Sequence, residues 1–243
     1  MNIPNDIWYN VFYFLTQRSQ SKFSCLLNLY NLSTEEIELM FSSYNLWFDT
    51  AKKGYTKLMN FLIKASGVDV NVQDSYGRTA LHCASMYGHK ECVELLIKAD
   101  ADINIQGRSG NTALHFASNY NSYKESVELL INASGVNVNI QNNYGDTALH
   151  NASRYCNKDC IELLIKAGTD LNIQDNIGWT SLHNASKYSG KECAELLIKA
   201  GTDLNIQNND GSTALHYACY HSRKEIVELL IKSGANGEYF KKK

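Results

Sequence analysis

Most of the chain alternates between short apolar stretches in helical spacing and polar, glycine-containing turns. In the first clear example, a helix is predicted from about Ala80 to Tyr87, with Thr79 as its N-cap. After a turn at Gly88, a second helix is predicted from about Lys90 to Ala99, and its apolar positions are Cys92, Val93, Leu95, Leu96 and Ile97. The pattern therefore predicts a helix-turn-helix unit followed by an extended, polar connection.

The same unit returns at a nearly fixed interval. The phrase G-x-T-[AS]-L-H starts at five glycines, separated by 33, 35, 33 and 33 residues: Gly77, Gly110, Gly145, Gly178 and Gly211. Such a period predicts that each unit buries its apolar face against its neighbours. The position of Gly88, between the two helices, is occupied in later units by Asn121, Cys156, Ser189 and Ser222. If this position needs left-handed backbone geometry, asparagine tolerates it well and the others less well.

The first unit reads D-x-x-G-x-T-A-L-H-x-A-S, then G-H-K-E-C-V-E-L-L-I-K-A, then D-I-N, and it resembles the ankyrin repeat. The resemblance implies an all-α ankyrin-repeat solenoid of helix-turn-helix repeats joined by β-turn or hairpin loops. It predicts a degenerate first repeat over 44–73, which lacks G-x-T-A-L-H. The three lysines at the end of the sequence mark a basic tail over 237–243. The five full repeats are predicted at 74–106, 107–141, 142–174, 175–207 and 208–236.

Residues 1–43 do not share the repeat, and their apolar spacing predicts a short helical segment. The opening I-P-N-D-I-W-x-x-V-F-x-F-L resembles an F-box, the three-helix segment that docks substrate receptors onto the Skp-type adaptor of cullin-RING ubiquitin ligases. The residues that fall on that family's pattern are Ile3, Pro4, Ile7, Val11, Phe12 and Leu15. The alternative interpretation is a helical cap that seals the first repeat.

Composition narrows the function classes. The 243 residues carry a net charge of −2, so the chain as a whole has no electrostatic footprint for nucleic acid. No apolar run is long enough to span a bilayer, and the N-terminus lacks the features of a signal peptide. Seven cysteines without a spaced framework favour reduced thiols. We therefore expect an intracellular, cytoplasmic protein with neither nucleic acid nor membrane as a partner.

Two side-chain patterns suggest chemistry. A histidine closes every repeated phrase, at His82, His115, His150, His183 and His216. Neighbouring repeats lie about 10 Å apart, too far for shared metal ligation at ~2 Å. The ankyrin resemblance instead implies hydrogen bonds from each histidine to the threonine three residues earlier and to adjacent turn backbone. Cys156 and Cys160 have the spacing of a metal pair, but position 160 takes small or apolar residues in other repeats and is interpreted as core.

No phosphate-binding glycine loop, nucleophile elbow or paired-carboxylate motif occurs, so we expect no enzymatic activity and no cofactor. Asn151 and Asn184 follow the histidine at a position that is apolar or aromatic in other repeats. Two such stacked amides are expected to hydrogen-bond to each other, or else to be half-buried and meet water.

The ankyrin resemblance implies that turn tips and the inner face of each first helix bind a protein partner. At the turns, the candidate binding residues are Tyr76, Arg78, Arg108, Tyr144, Ile177 and Trp179. At the ends of the first helices they are Tyr87, Tyr120, Arg154, Tyr155, Tyr188, Tyr220 and His221. Ile177 and Trp179 are expected to be exposed apolar groups, and tryptophan is a frequent hot-spot residue. The alternative is that the recurring tyrosines only pack between repeats and set the spacing of the helices.

Overall fold

The structure is a computed structural model that describes residues 45–64, 69–119, 123–188 and 190–236. These residues form twelve α-helices and no strand. In chain order, the helices are α1 Leu46–Lys53, α2 Thr56–Lys64, α3 Ala80–Met86, α4 Lys90–Lys98, α5 Ala113–Ala117, α6 Lys124–Ile131, α7 Ala148–Arg154, α8 Lys158–Lys166, α9 Ser181–Tyr188, α10 Lys191–Lys199, α11 Ala214–Tyr220 and α12 Lys224–Lys232.

The helices pair in sequence and stack in two layers. The first helices of the pairs (α1, α3, α5, α7, α9, α11) pack on one another in order, and so do the second helices (α2, α4, α6, α8, α10, α12). Buried leucines, one from each second helix of the full repeats, run through the core as Leu96, Leu130, Leu164, Leu197 and Leu230. The prediction of an all-α solenoid is therefore confirmed.

The starts of the first helices follow from the repeated phrase. Thr79 lies in extended backbone geometry just before α3, and its hydroxyl accepts a hydrogen bond of 3.4 Å from the backbone N–H of His82. This is the N-cap that the sequence predicts. Gly110 has a φ of 76°, and a Cβ there would overlap the backbone at Asn143 in the next turn. In the repeated phrase, the glycine thus allows two neighbouring turns to approach closely, and the threonine begins the helix.

The position between the two helices of a repeat does adopt left-handed geometry. Gly88 has a φ of 72°, and Cys156 and Ser222 have φ values of 53° and 55°. Because left-handed backbone is unfavourable for a residue with a Cβ, these two positions are strained where glycine is not. Gly54, between α1 and α2, adopts the same geometry with a φ of 70°.

Several sequence-based predictions lie outside the described residues. These are the helical segment 1–43, with the F-box-like residues Ile3 to Leu15, the basic tail 237–243 and the binding residue Tyr120. Within the described ranges, no helix has the length and apolar character needed to cross a membrane.

Candidate protein-binding surface

The loops that precede the first helices of the full repeats carry tight turns, which we call fingers (residues 74–78, 107–111, 142–146, 175–179 and 208–212). In the first finger, the Asp74 carboxylate accepts hydrogen bonds from the backbone N–H groups of Tyr76 at 2.8 Å and Arg78 at 2.9 Å. The same bonds, 2.8 to 3.0 Å long, tie Asn142 to Tyr144 and Asp146, and Asp175 to Ile177 and Trp179. The tip residues Tyr76, Tyr144 and Ile177 are all exposed.

Neighbouring fingers are joined through their backbones. The Arg108 N–H donates to the carbonyl of Tyr76 at 3.0 Å, and the Asn176 N–H donates to the carbonyl of Tyr144 at 3.0 Å. In the first four of these loops a glutamine adds a second link to the next repeat; Gln141 Nε2, for example, donates to the carbonyls of Gly145 and Gln174. The tip side chains are therefore held at fixed distances along the stack, as a rigid recognition surface requires.

Most of the exposed large apolar side chains lie at two places in the repeat. At the finger tips they are Tyr76, Tyr144 and Ile177, and at the ends of the first helices they are Tyr87, Tyr155, Tyr188 and Tyr220. We call these seven residues the tyrosine surface. The most exposed is Tyr220, at 82 % of its full area, and its ring lies 5.1 Å from that of His221. Their exposure argues against the alternative in which these side chains only space the repeats.

Of the three candidate arginines, Arg154 connects the two parts of this surface, whereas Arg78 and Arg108 belong to the fingers alone. Arg154, at the end of α7, donates to both carboxylate oxygens of Asp146 in the finger of the same repeat, at 3.0 and 3.1 Å. Arg78 binds the Asp74 carboxylate at 2.7 Å and lies 4.7 Å from the ring centre of Tyr76. Arg108 is exposed at its finger. The finger and the helix end of one repeat are therefore adjacent, and a partner can contact both.

The ion pair also affects the first finger electrostatically. Burial alone would raise the pKa of Asp74, but the hydrogen bonds from the Arg78 side chain and backbone outweigh it and hold the pKa below its ordinary value. Asp74 is thus ionised at neutral pH, and it orients both the finger backbone and Arg78.

The prediction that Trp179 is an exposed hot-spot residue is wrong. Its side chain is only 6 % exposed, and its ring lies 4.4 Å from the ring of Tyr217 in the first helix of the next repeat. Lys187 covers the remaining side, with its Nζ atom 4.8 Å from the Trp179 ring centre and 4.9 Å from that of Tyr188. Ile177, by contrast, is exposed as predicted. Trp179 therefore packs between repeats and contributes to the stability of the stack.

The histidines form hydrogen bonds within and between repeats, as predicted. His82 Nδ1 accepts from the Thr79 N–H at 3.0 Å, so its Nε2–H is free to donate to the carbonyl of Asn111 in the next finger, also at 3.0 Å. The corresponding inter-repeat bonds are His115 to Asp146, His150 to Trp179, and His183 to Ser212. Burial lowers the pKa of His82 and His183 to about 4, so these imidazoles are neutral at physiological pH.

The asparagines that follow the histidines do not bond to each other. Asn151 Nδ2 donates to the carbonyl of His115 at 3.3 Å, in the repeat before it. Asn184 is fully buried, and neither atom of its amide has a hydrogen-bond partner among the described residues. The two amides differ because only Asn151 finds a carbonyl within reach.

Of the two cysteines that the sequence suggested as a pair, one has the predicted environment and the other has a different partner. Cys160 is buried core, as predicted, and its thiol lies 3.3 Å from the Ser118 hydroxyl. Cys156 instead lies beside Cys193 of the next repeat, a pairing that the sequence analysis missed. The sequence feature that could have indicated this contact is Gly190, because the other full repeats have a larger residue at its position: His89, Tyr123, Asn157 and Arg223. No group of three or more metal-binding side chains is found in the part of the chain that the structure describes.

Comparison with known proteins places this architecture in context. The family model described as ankyrin repeats (3 copies) matches in overlapping segments at residues 47–142, 99–175, 119–208 and 167–240. A zebrafish (Danio rerio) protein, ankyrin repeat domain-containing protein 29, is 46 % identical over 57 residues. That match spans 24 % of this chain and only 19 % of the length of the zebrafish protein.

Solved ankyrin structures superpose over most of the chain. An ankyrin repeat domain from Acinetobacter baumannii AYE has a TM-score of 0.71 at 27 % identity, and the match covers 78 % of this chain and 98 % of that domain. The ankyrin repeat domain of Bcl-3, a member of the IkappaB protein family, has a TM-score of 0.72 at 26 % identity, with 79 % and 87 % of the two chains covered. Because the family model spans well over half of the sequence, this chain belongs to the ankyrin repeat family.

Proposed function

We propose that this chain is a non-enzymatic protein-binding scaffold, and that the tyrosine surface holds its partner. Ankyrin repeats generally mediate contacts between proteins, which supports the broad function. The observation that supports the specific surface is the distribution of exposed apolar groups. Of the eight large apolar side chains that are exposed among the described residues, seven belong to the tyrosine surface, and the remaining one is Ile231 on α12.

This distribution suits a protein partner. Tyrosine offers a large apolar ring with a hydroxyl that can still hydrogen-bond, and it has few rotatable bonds to immobilise on binding. Exposed apolar groups clustered on one side of a soluble protein mark interaction sites, whereas isolated ones are ordinary. The fingers hold their tip residues through backbone and glutamine links, so little conformational entropy is lost when a partner binds.

The test replaces exposed tyrosines without touching the core. A variant with Tyr87, Tyr155, Tyr188 and Tyr220 changed to alanine is used as bait beside the unaltered chain, and captured proteins are quantified by mass spectrometry. The matched control changes four exposed side chains on the second helices, which are Glu128, Lys166, Lys199 and Ile231, to alanine.

The proposal expects at least one protein that the unaltered chain and the control both capture and the tyrosine variant does not. Purified, that protein should bind the tyrosine variant at least about 30-fold more weakly, since loss of several central aromatic contacts typically costs more than about 2 kcal/mol. Equal affinity for all three baits, each folded by circular dichroism, would rule out the tyrosine surface.

The ubiquitin-ligase alternative depends on the sequence motif of residues 3–15. In that proposal, the N-terminal segment docks onto a Skp-type adaptor and the repeats select the substrate. Co-purification with such an adaptor, lost when Ile7 and Phe12 are changed to aspartate, is the expected result. If the unaltered chain binds no Skp-type adaptor, this alternative is abandoned, and the scaffold proposal is unaffected.

A further inference from the structure

Two cysteine sulfur atoms from neighbouring repeats lie in unusually close contact. The Sγ atoms of Cys156, in the turn between α7 and α8, and Cys193, in α10, are 2.6 Å apart. A disulfide bond is about 2.05 Å long, and unbonded heavy atoms such as carbon normally settle about 3.5–4.0 Å apart. The two thiols therefore need to move by well under 1 Å to form a bond.

The residue next to the sulfur pair makes room for it. A Cβ at Gly190 would overlap the Cys156 sulfur and lie 2.9 Å from Cys193 Cβ. Gly190 has a φ of −104° and a ψ of 93°, which any residue adopts, so the backbone does not require glycine here. The four other full repeats have a larger residue at this position. Glycine therefore occurs here only in the full repeat whose cysteine contacts Cys156.

Cys156 has the properties of a reactive thiol. It is half-buried, whereas Cys193 has no exposed surface. The hydrogen bond from the Cys193 thiol outweighs desolvation and lowers the pKa of Cys156 to about 7, while the same interaction raises that of Cys193. A large fraction of Cys156 is thus thiolate at neutral pH, which is the form that reacts with oxidants.

Other cysteines lack this combination. Burial raises the pKa of Cys83 to about 11 and that of Cys160 to about 12, so both remain protonated. Cys219 is only half-buried, but burial still raises its pKa, which disfavours the thiolate. Cys92 has no exposed surface, so Cys156 is the described cysteine best suited to react first.

We propose that Cys156 and Cys193 are a redox pair that a hydroperoxide converts to a disulfide between the third and fourth full repeats. The Cys156 thiolate attacks one oxygen of hydrogen peroxide, which releases water after protonation and leaves a sulfenic acid. The Cys193 sulfur then attacks the Cys156 sulfur, and the hydroxyl group departs with the Cys193 proton as a second water. Two thiols lose two electrons in total, and one peroxide is reduced to two waters.

This modification site is distinct from the protein-binding function, but it lies next to it. Cys156 directly follows Tyr155 of the tyrosine surface. The disulfide links residues 37 positions apart and would fix two adjacent repeats to each other. Because the link constrains the unfolded chain, the oxidised protein should melt about 10 °C higher than the reduced protein.

The test uses the full chain, reduced and then treated with one equivalent of hydrogen peroxide, acid-quenched, alkylated and digested with trypsin. Lys158 lies between Cys156 and Cys160, so the peptides of the two cysteines separate. The expected product joins the peptides 155–158 and 192–199, with the mass of two hydrogen atoms lost. Cys156 should be oxidised faster than Cys219, because its larger thiolate fraction outweighs the weaker nucleophilicity of a thiolate with a lowered pKa.

Three variants sharpen the result. Cys156→Ser should abolish the cross-link, and Cys219→Ser should leave it unchanged. Gly190→Ala keeps both thiols but displaces the Cys156 sulfur, so the cross-link should form several-fold more slowly. The proposal is overturned if the unaltered chain accumulates sulfinic acid at Cys156 without a cross-link, if Cys156 pairs with another cysteine, or if Gly190→Ala cross-links at the same rate.

Discussion

The histidines that bond to the next repeat (His82, His115, His150 and His183, here called the histidine network) lie in the first turn of the first helices. The tyrosine surface lies at the opposite ends of these helices and at the finger tips, and it differs from the network in both burial and bonding. On α7, His150 is 1 % exposed and bonds to the next repeat, whereas Tyr155, just beyond the end of the helix, is 57 % exposed. The histidine recurs in every full repeat, whereas the residue at the finger tip varies from Tyr76 through Ser109, Tyr144 and Ile177 to Asp210. Five positions along the chain thus separate a group that holds the stack together from one available to a partner.

This difference indicates how the solenoid separates stability from recognition. In a repeat array, each unit is stabilised largely by the interface with its neighbours. The histidine network supplies polar bonds across that interface, and the fingers depend on it because the carbonyls that accept these bonds belong to them. Side chains at the finger tips make no such bonds, so they are free to differ without loss of the fold.

The largest predicted effect is acid destabilisation through the histidine network. His82 and His183 have a pKa of about 4 in the folded chain and about 6.5 when unfolded. Between these values the unfolded chain binds protons that the folded chain does not, so stability falls as the pH is lowered. From pH 8 to pH 5 each histidine should remove about 2 kcal/mol from the free energy of unfolding, or about 4 kcal/mol together.

Urea unfolding at a series of pH values measures this loss. Carboxylates with lowered pKa values, such as Asp74, remain ionised over this range and should contribute little. His183→Gln provides the control, because it removes one titrating group and should reduce the slope of stability against pH. A free energy of unfolding that is unchanged between pH 8 and pH 5 would contradict the assignment of neutral, buried histidines.

The next largest effect tests whether Trp179 stabilises the stack by packing or is an exposed residue available to a partner. Changing Trp179 to alanine removes a buried ring from between two repeats and should cost about 3 kcal/mol of stability, as for other large-to-alanine changes in cores. Ile177→Ala, at the exposed tip of the same finger, should cost less than about 0.5 kcal/mol. Thermal and urea unfolding of the two variants gives the comparison, and equal costs would mean that Trp179 is not a packing residue.

Trp179 also shows where sequence reasoning succeeds and where it fails. Helix starts, threonine caps and the bond between each histidine and its own threonine involve residues of one repeated phrase, so the phrase and its ankyrin resemblance are enough to predict them. The burial of Trp179 depends on Tyr217, which lies in the next repeat, and on the position of Lys187. The same turn position is half-buried at Arg78, Asn111 and Ser212, and the ring of Trp179 is buried because its neighbours carry side chains large enough to cover it.

The same limit applies to the contacts of the asparagines and cysteines. The sequence places Asn151 and Asn184 at one repeat position, but it does not reveal that only Asn151 reaches a carbonyl. It likewise suggests Cys156 with Cys160, four residues apart, whereas the sulfur that approaches Cys156 comes from the next repeat. Contacts between repeats depend on small differences in packing that a repeat alignment averages out.

A smaller effect of opposite sign is predicted at Asn184. Because its buried amide has no partner among the described residues, replacing it with leucine should raise the free energy of unfolding by about 1–2 kcal/mol. Asn151→Leu is the matched control at the same position of the preceding repeat. It removes the bond to the His115 carbonyl and should not stabilise the chain. Urea unfolding of the two variants checks the difference, and a destabilised Asn184→Leu would show that the amide is satisfied in solution.

The smallest effect on stability is predicted for the tyrosine surface, where an exposed tyrosine can be compared with a half-buried one. Tyr155→Ala removes a side chain that is largely in water, so the free energy of unfolding should change by no more than about 0.5 kcal/mol. Tyr217→Ala, in the first helix of the last full repeat, should cost clearly more, because its ring packs on Trp179 and its hydroxyl accepts a bond of 3.0 Å from Asn208. Urea unfolding distinguishes the two tyrosines. If Tyr155→Ala were as destabilising as Tyr217→Ala, the recurring tyrosines would be spacers between repeats, and the proposed binding surface would lose its basis.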